Sequence, residues 1–355
     1  MASVDVVIPC YNYGHFLRSC VGSVLSQAGV EVRALVIDDQ SSDSSQAVGE
    51  ELAAADPRVH FRRHAVNRGH IATYNEGLLE WASADYCLLL SADDLLVPGA
   101  LARATALMEA RPEVGMVYGA ALFFSDEASL VLPADYDQAE HRIIPSDRFL
   151  EFCCLGGNPV PTPTALVRTT LQHRIGGYRP SLPHAGDMEM WMRCAAQGPI
   201  GVLRSVQALY RWHGANMSRA YLGRMLSERS QQLLAANSVL ADHPAYPQAA
   251  TWLENQRRRL SHEALWWASG AIESGDPATV RECLEFARKH HPDLRGSRVY
   301  WRFLMKRLLG RHALAGMRAA VNRLRGREHA AHDELASFDR IRPGSRTGWW
   351  PEQTS

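Results

Sequence analysis

The chain has 355 residues, 38 basic against 38 acidic, a formal net charge of zero, and a composition that is 46% hydrophobic and 21% charged. That length suits two domains with a sizeable core, the apolar fraction excludes disorder, and the charge balance argues against a generic nucleic-acid binder. Neither a run of about 18 apolar residues nor a charged segment leading into an apolar stretch occurs, so a cytoplasmic protein without signal peptide or membrane span is expected.

From Val4 to about Tyr118, short β-branched runs alternate with helical stretches, the pattern of βαβ units and a mainly parallel sheet. Strands are predicted at Val4–Ile8, Val32–Ile37, Val59–Arg63, Tyr86–Leu90 and Val114–Tyr118, with helices near 15–27, 43–55, 70–82 and 99–110. Ser42 before Asp43 reads as a helix N-cap, and Pro98-Gly99 as a helix start. Residues 119–165 carry no regular signal. Structure resumes with Thr164–Arg168, a Gly176-Gly177 turn, a helix near Asp187–Gln197 and a strand near Val206–Trp212. Beyond Ala220 four helices are predicted, over 221–240, 245–272, 277–290 and 298–325. The seven cysteines are scattered without a C-x-x-C pair and read as reduced, buried fillers.

In an open α/β sheet, ligands bind beyond the carboxyl ends of the strands. There the chain places Pro9-Cys10-Tyr11-Asn12, then Asp38-Asp39-Gln40-Ser41, then Asn67-Arg68-Gly69 with Asn75, then Ser91-Ala92-Asp93-Asp94. Tyr11 offers a ring for stacking, and the Asp38-Asp39 edge can accept hydrogen bonds from a base or ribose. Adjacent carboxylates such as Asp93 and Asp94 repel unless a cation offsets them, and hard oxygen ligands suit Mg2+ or Mn2+ held with a diphosphate. Singly, each piece is as readily a solvated turn, a cap or packing.

In order and spacing these stretches resemble the family 2 glycosyltransferases, inverting enzymes of the GT-A fold that use nucleotide-sugar donors. The resemblance covers about residues 3–218 and includes Ser23 with Gln27. It implies that Tyr11 stacks on the base, Asp39 reads the base edge, Arg68 approaches the nucleotide, Asp93 the ribose, and Asp94 ligates the metal, with Pro9 and Asn12 lining the nucleotide site. Ser91 departs from the family's D-x-D-D pattern, so the metal site rests on Asp93 and Asp94, helped by His213 or diphosphate oxygens. The stretch Gly186–Arg193 is similar to the family's E-D-x-D-L-W-L-R, with Gly186 and Glu189 as departures. Asp187 falls on the position of the general base, with helix capping as the bland alternative and Glu189 as a lesser candidate. Tyr210–Ser218 resembles the tail Y-R-x-H-x-x-N-x-S, in which His213 contacts metal or diphosphate. Trp191 and Trp212 read as core or acceptor-pocket walls, and His184 as an acceptor-side residue.

The sequence thus divides into residues 1–218, a GT-A catalytic domain with a nucleotide-binding half (1–120) and an acceptor-side half (121–218), and residues 219–355, a basic helical region. The neutral total hides a dipolar chain: residues 219–355 hold 22 basic and 14 acidic groups, a charge of +8, which leaves −8 on the first 218. Between Arg295 and Arg327 ten basic residues occur without one acid, and Arg295, Arg298, Arg302 and Lys306 form one helical stripe beside another of Trp301, Leu304, Met305 and Leu308. Two main readings stay open, a helix packed on the catalytic domain and one lying peripherally on an anionic membrane at its inner face; a nucleic-acid role is the minor third, since no stacking-and-groove motif accompanies the charge. The expected activity is metal-dependent sugar transfer from a nucleotide-diphosphate donor to a glycan, lipid-linked or small-molecule hydroxyl. A sugar nucleotidyltransferase and a non-catalytic nucleotide-binding scaffold are the alternatives.

Overall fold

A computed structural model of the chain describes residues 1–214, 216, 225–241, 243, 245–325, 343–348, 350 and 351. The chain divides into two units, one of residues 1–216 with 342–355 and one of residues 217–341.

The first unit begins with four parallel strands, β1 (Ser3–Cys10), β2 (Glu31–Asp38), β3 (Val59–Arg63) and β4 (Tyr86–Leu89), ordered β3-β2-β1-β4. Val6 to Ile8, Ala34 to Ile37 and Tyr86 to Leu89 are buried, as β-branched and aliphatic runs are when helices cover both faces. Register aligns the carboxyl ends: Cys10 lies beside Asp38, and Asp38 beside Arg63. Helices α1 (Gly14–Leu25), α2 (Ser45–Ala55), α3 (His70–Asn75) and α4 (Ala100–Ala110) make the crossovers. The helix expected at 70–82 is continuous only to Asn75, and Glu76–Trp81 widens into a π-helical turn. The expected Ser42 cap is replaced. Helix α2 starts at Ser45, whose N–H donates to Asp43 Oδ1 at 2.9 Å, while Asp43 Oδ2 accepts from Gly14 N at 3.0 Å. A Cβ on Gly14 would stand 2.6 Å from Ser45 N, so the close approach of these two loops requires glycine. Pro98 lies outside α4, which starts behind the left-handed Gly99.

The sheet continues through strands of mixed direction in the order β4-β8-β6-β9-β5, formed by β5 (Leu95–Leu96), β6 (Met116–Phe124), β8 (Leu166–Arg168) and β9 (Ile200–Arg211). Strand β7 (His141–Ile144) adds to β9, and helices α5 (Ser146–Gly156), α6 (Thr169–Ile175) and α7 (Gly186–Ala195) pack around this half. Strands β6 and β9 are longer than the predicted Val114–Tyr118 and Val206–Trp212. Gly119, Ala120 and Ala121 carry little β-propensity; the parallel pairing with β9, bulged on either side of Ala120, holds them in the sheet.

The second unit is helical, with α8 (Met225–Leu240), α9 (Ala249–Ser274), α10 (Pro277–His290) and α11 (Arg298–Arg325), the last interrupted at Gly310. The break at Gly275-Asp276-Pro277 follows cap chemistry: Gly275 is left-handed at the end of α9, Asp276 accepts from Ala278 N and Thr279 N at 3.1 Å, and Pro277 opens α10. Its core gathers Leu260, Leu265, Leu284, Ala287 and Phe303. The inward face of α11 is Tyr300 and Phe303. Of the predicted apolar stripe only Leu304 packs, and Trp301 and Met305 are 58% exposed and Leu308 82%. Among the described residues no helix is long and apolar enough to cross a membrane, and all seven cysteines are buried.

The expected helical region 219–355 ends differently from its beginning, because the last described residues return to the first unit. Strand β10 (Arg346–Thr347) pairs antiparallel with β6 at Leu122 and Ala121, Arg346 meets Asp135, and the Trp350 ring takes Arg142 at 4.8 Å and Arg204 at 5.6 Å.

Candidate active site

At the β1 edge Tyr11 is 52% exposed, its ring open to a stacking partner, and Pro9 pairs with Ile37 in the strand behind it. Asn12 is left-handed (φ 59), which turns its Oδ1 to Ser42 N at 2.9 Å while its N–H donates to Ser41 Oγ at 2.8 Å. At the β2 edge Asp38 is buried against Ser41 N and Arg63. Asp39 Oδ1 accepts from Arg68 N at 2.7 Å and lies 2.6 Å from His64 Nδ1, and Oδ2 accepts from Gly69 N at 2.8 Å. Asp39 thus folds the Asn67-Arg68-Gly69 loop over the strand end. Arg68 leaves its guanidinium half exposed, joined to Glu76 at 2.6 Å.

Beyond β4 the chain turns through Asp93 and Asp94, which are 5% and 2% exposed. Asp94 Oδ1 accepts from Arg211 N at 2.9 Å, and Arg211 Nε donates to Asp93 O at 2.8 Å. The Arg211 guanidinium lies between Phe16 and Phe124, at 4.3 and 4.4 Å, and is paired with Glu127. His213 Nε2 stands 3.0 Å from Asp93 Oδ2. Sequence positions 93–94 and 211–216 therefore meet in space, and the pairing of β5 with β9 is what brings them together. Burial, and then the charge of Asp93, push the Asp94 carboxyl well above the usual carboxylate range. A buried carboxylate pair with so little compensating charge is the electrostatic setting a divalent cation relieves. Among the described residues no group of three or more His, Cys, Asp or Glu side chains is arranged to hold a metal, so such a cation fits here only if a bound diphosphate completes its oxygen ligands.

The Ser23 and Gln27 motif supports this turn from beneath. Ser23 Oγ accepts from Leu96 N at 3.0 Å, and Gln27 donates to Val97 O at 2.9 Å and accepts from Leu101 N at 3.2 Å. Asn75 has a similar mechanical task, exchanging hydrogen bonds of 2.7 and 2.9 Å with the backbone of Tyr178.

Asp187 lies in the first turn of α7, where the helix dipole favours an anion. The N-cap is Ala185 and no side chain caps this helix end, so capping does not account for Asp187. Its Oδ2 accepts instead from Thr162 Oγ at 2.7 Å. Burial raises the Asp187 carboxyl above its ordinary range, against the opposing pull of the Thr162 hydroxyl and the charge of His70. Glu189 is fully buried and paired with Arg179 at 2.9 Å and Arg193 at 2.8 Å, and Arg193 also donates to the carbonyls of Ile175 and Gly177. A carboxylate held in this way is a structural brace. Trp191 is core.

Several residues of this region escape sequence reading. Thr162 lies in a Pro161-Thr162-Pro163 stretch whose signal is that of a turn. His70 starts α3, its ring feeling the charge of both Asp187 and Asp39, and burial holds its protonation below the usual histidine range. His64 and Glu76 sit behind the strand edge, and nothing in their spacing marks them.

A parallel βα layer whose strand ends gather Asp39, Asp93 and Asp94, extended by a mixed-strand half in which Thr162 lies on the turn before β8 and Asp187 on α7, has the architecture of the GT-A fold. Residues 5–165 match the model of "Glycosyl transferase family 2", and the chain carries a family 2 glycosyltransferase domain. An uncharacterised glycosyltransferase of Haemophilus influenzae is 22% identical over 223 residues, 61% of this chain and 68% of that one. The matches to the first three curated relatives span 63%, 68% and 35% of their own lengths. Among solved structures, Staphylococcus aureus TarS (residues 1–349) in complex with UDP-GlcNAc superposes with a TM-score of 0.52 at 16% identity, over 82% of this chain and 93% of that one. The Pyrobaculum calidifontis mannosyltransferase PcManGT in complex with GDP-Man and Mn2+ superposes with a TM-score of 0.53 at 16% identity, over 92% and 88%. At these identities the structural likeness is one of fold.

Proposed function

We propose that the protein is an inverting, metal-dependent glycosyltransferase that moves a sugar from a nucleotide-diphosphate donor to an acceptor hydroxyl, with Asp187 as general base. One observation carries the reading: a buried carboxylate, raised by burial and oriented by Thr162, on the half of the fold that the carboxylate edge does not use. The acceptor oxygen bonds to the anomeric carbon as the bond to the donor diphosphate breaks, Asp187 takes the hydroxyl proton, and the nucleoside diphosphate leaves with the bonding electrons. Tyr11 stacks on the base, with Asp39, Arg68 and Asp93 around the nucleoside and Pro9 and Asn12 forming the wall. Asp94 and His213, with donor oxygens, would hold Mg2+ or Mn2+, which when bound supplies charge stabilisation for the leaving diphosphate. The nucleotide-sugar and Mn2+ complexes of the two structural neighbours support this donor class and a divalent ion. Product analysis tests the reading. A transferase releases nucleoside diphosphate from the donor, whereas release of pyrophosphate would indicate a nucleotidyltransferase and no turnover a binding scaffold.

The acceptor belongs to the glycan, lipid-linked or small-molecule class, and the helical unit favours the lipid-linked member. On α11 the exposed Trp301, Met305, Leu308 and Leu309 run beside Arg298, Arg302 and Lys306, an apolar strip with a cationic flank that suits peripheral contact with an anionic membrane at its cytoplasmic face. Co-sedimentation with anionic vesicles, lost in high salt and absent with neutral vesicles, is the expected result; no binding to either would remove this part of the reading.

A further inference from the structure

His64 is enclosed at the back of the β2 edge, 7% exposed, between two carboxylates that are themselves 4% and 9% exposed. Its Nδ1 lies 2.6 Å from Asp39 Oδ1 and its Nε2 3.0 Å from Glu76 Oε2. A neutral imidazole has one N–H and one lone pair, so in either tautomer it would press a lone pair against a carboxylate oxygen. Only the imidazolium donates on both sides. The contacts close a ring: Arg68 N–H donates to Asp39, the Arg68 guanidinium donates to Glu76 at 2.6 Å, and His64 joins Glu76 back to Asp39. The further charged groups around it are Arg62, 3.4 Å from Glu76, and His70, whose ring feels the Asp39 charge. The other donors to the Asp39 carboxylate, Arg68 N and Gly69 N, are neutral amides.

We propose that His64 is a positioning residue that acts as a doubly protonated staple, fixing Asp39 and the Arg68 loop in the geometry that binds the donor nucleotide, so that donor affinity depends on a proton the donor never touches. The inference rests on the reading of this edge as the nucleotide site. With the proton in place, both carboxylates are held by charge-assisted hydrogen bonds. Its loss turns one bond into a repulsive contact, frees the Asp39 carboxylate to rotate, and releases Arg68 from the strand end. The effect falls on ground-state binding of the nucleotide, and the donor KM therefore moves more than kcat.

The test uses the full chain with 15N-labelled histidine, the His64 signal being assigned by its absence in His64→Gln. Both ring nitrogens of His64 should carry protons under conditions where UDP or GDP binds with full affinity. Raising the pH until the spectrum shows loss of one should weaken calorimetric binding of UDP or GDP with Mn2+ by about tenfold. His64→Gln should bind weakly with no such pH dependence. A singly protonated imidazole under conditions of full affinity, or wild-type affinity in His64→Gln, would overturn the proposal. If His64→Gln fails to fold, the His64 signal is assigned by its through-space contacts, and Glu76→Gln takes over the test: with one side of the staple removed, UDP or GDP should bind about tenfold more weakly, and wild-type affinity would overturn the staple equally. If neither UDP nor GDP binds the wild-type chain at any pH, the nucleotide-sugar reading fails while the nitrogen shifts still judge the staple.

Discussion

Thr162 donates its hydroxyl to Asp187 Oδ2 at 2.7 Å, which links the turn before β8 to the first turn of α7. The bond favours the ionised form of a carboxyl that burial otherwise raises. Thr162→Val removes that preference, so the pKa of Asp187 moves further up. The acidic limb of the rate–pH profile should then shift toward neutrality by about one pH unit. A profile measured at saturating donor checks the direction; an unmoved limb would separate Thr162 from the titrating group.

Asp94 is the buried carboxylate whose pKa burial and the Asp93 charge hold well above the usual carboxylate range. In the wild type, Mn2+ should tighten binding of UDP or GDP, by about tenfold or more if the cation bridges carboxylate and diphosphate. In Asp94→Ala the affinity should be the same in Mn2+ as in EDTA. Isothermal calorimetry gives both numbers, and a Mn2+ effect that survives the substitution would remove Asp94 from the ion.

Glu189 tests the distinction between brace and base. Glu189→Gln leaves the largely buried Arg193 without its anion, and should cost about 3 kcal/mol of stability, read as a lower urea midpoint. The fraction that stays folded should turn over at close to the wild-type rate. A rate collapse at unchanged stability would make Glu189 part of the chemistry.

Trp350 anchors the returning tail between Arg142 and Arg204. Trp350→Ala removes two cation–π contacts and the ring packing, for an expected loss of about 2 kcal/mol. The urea midpoint of the catalytic unit should fall; an unchanged midpoint would mean that β10 adds nothing to its stability.

The parallel layer was legible because each of its strands is a short β-branched run between helix-length segments, and motif order located the carboxylate edge. The tail strand β10 is two residues of Arg and Thr whose only reason to be extended is β6, a partner more than 200 residues away. The same holds for Gly119 to Ala121, held in β6 by β9. On α11, periodicity identified an apolar stripe but not which side was covered, and Tyr300 and Phe303 face the core instead. In the site, Asp39, Asp93, Asp94 and Asp187 carried motif signals. Thr162, His64 and Glu76 did not, because their roles arise from contacts across 12 to 25 residues that no local pattern records.

The role of Asp187 as base is the centre of the account. Burial raises its pKa above the unfolded value, so the ionised carboxylate destabilises the native state as pH rises from the unfolded pKa through the folded one. Asp187→Asn should therefore be at least as stable as the wild type at pH 7, with nucleoside diphosphate affinity within about twofold. Sugar transfer, followed as release of nucleoside diphosphate in the presence of acceptor, should fall by about a thousandfold. Turnover retained within a few-fold of wild type in that stable, donor-binding variant would contradict the account.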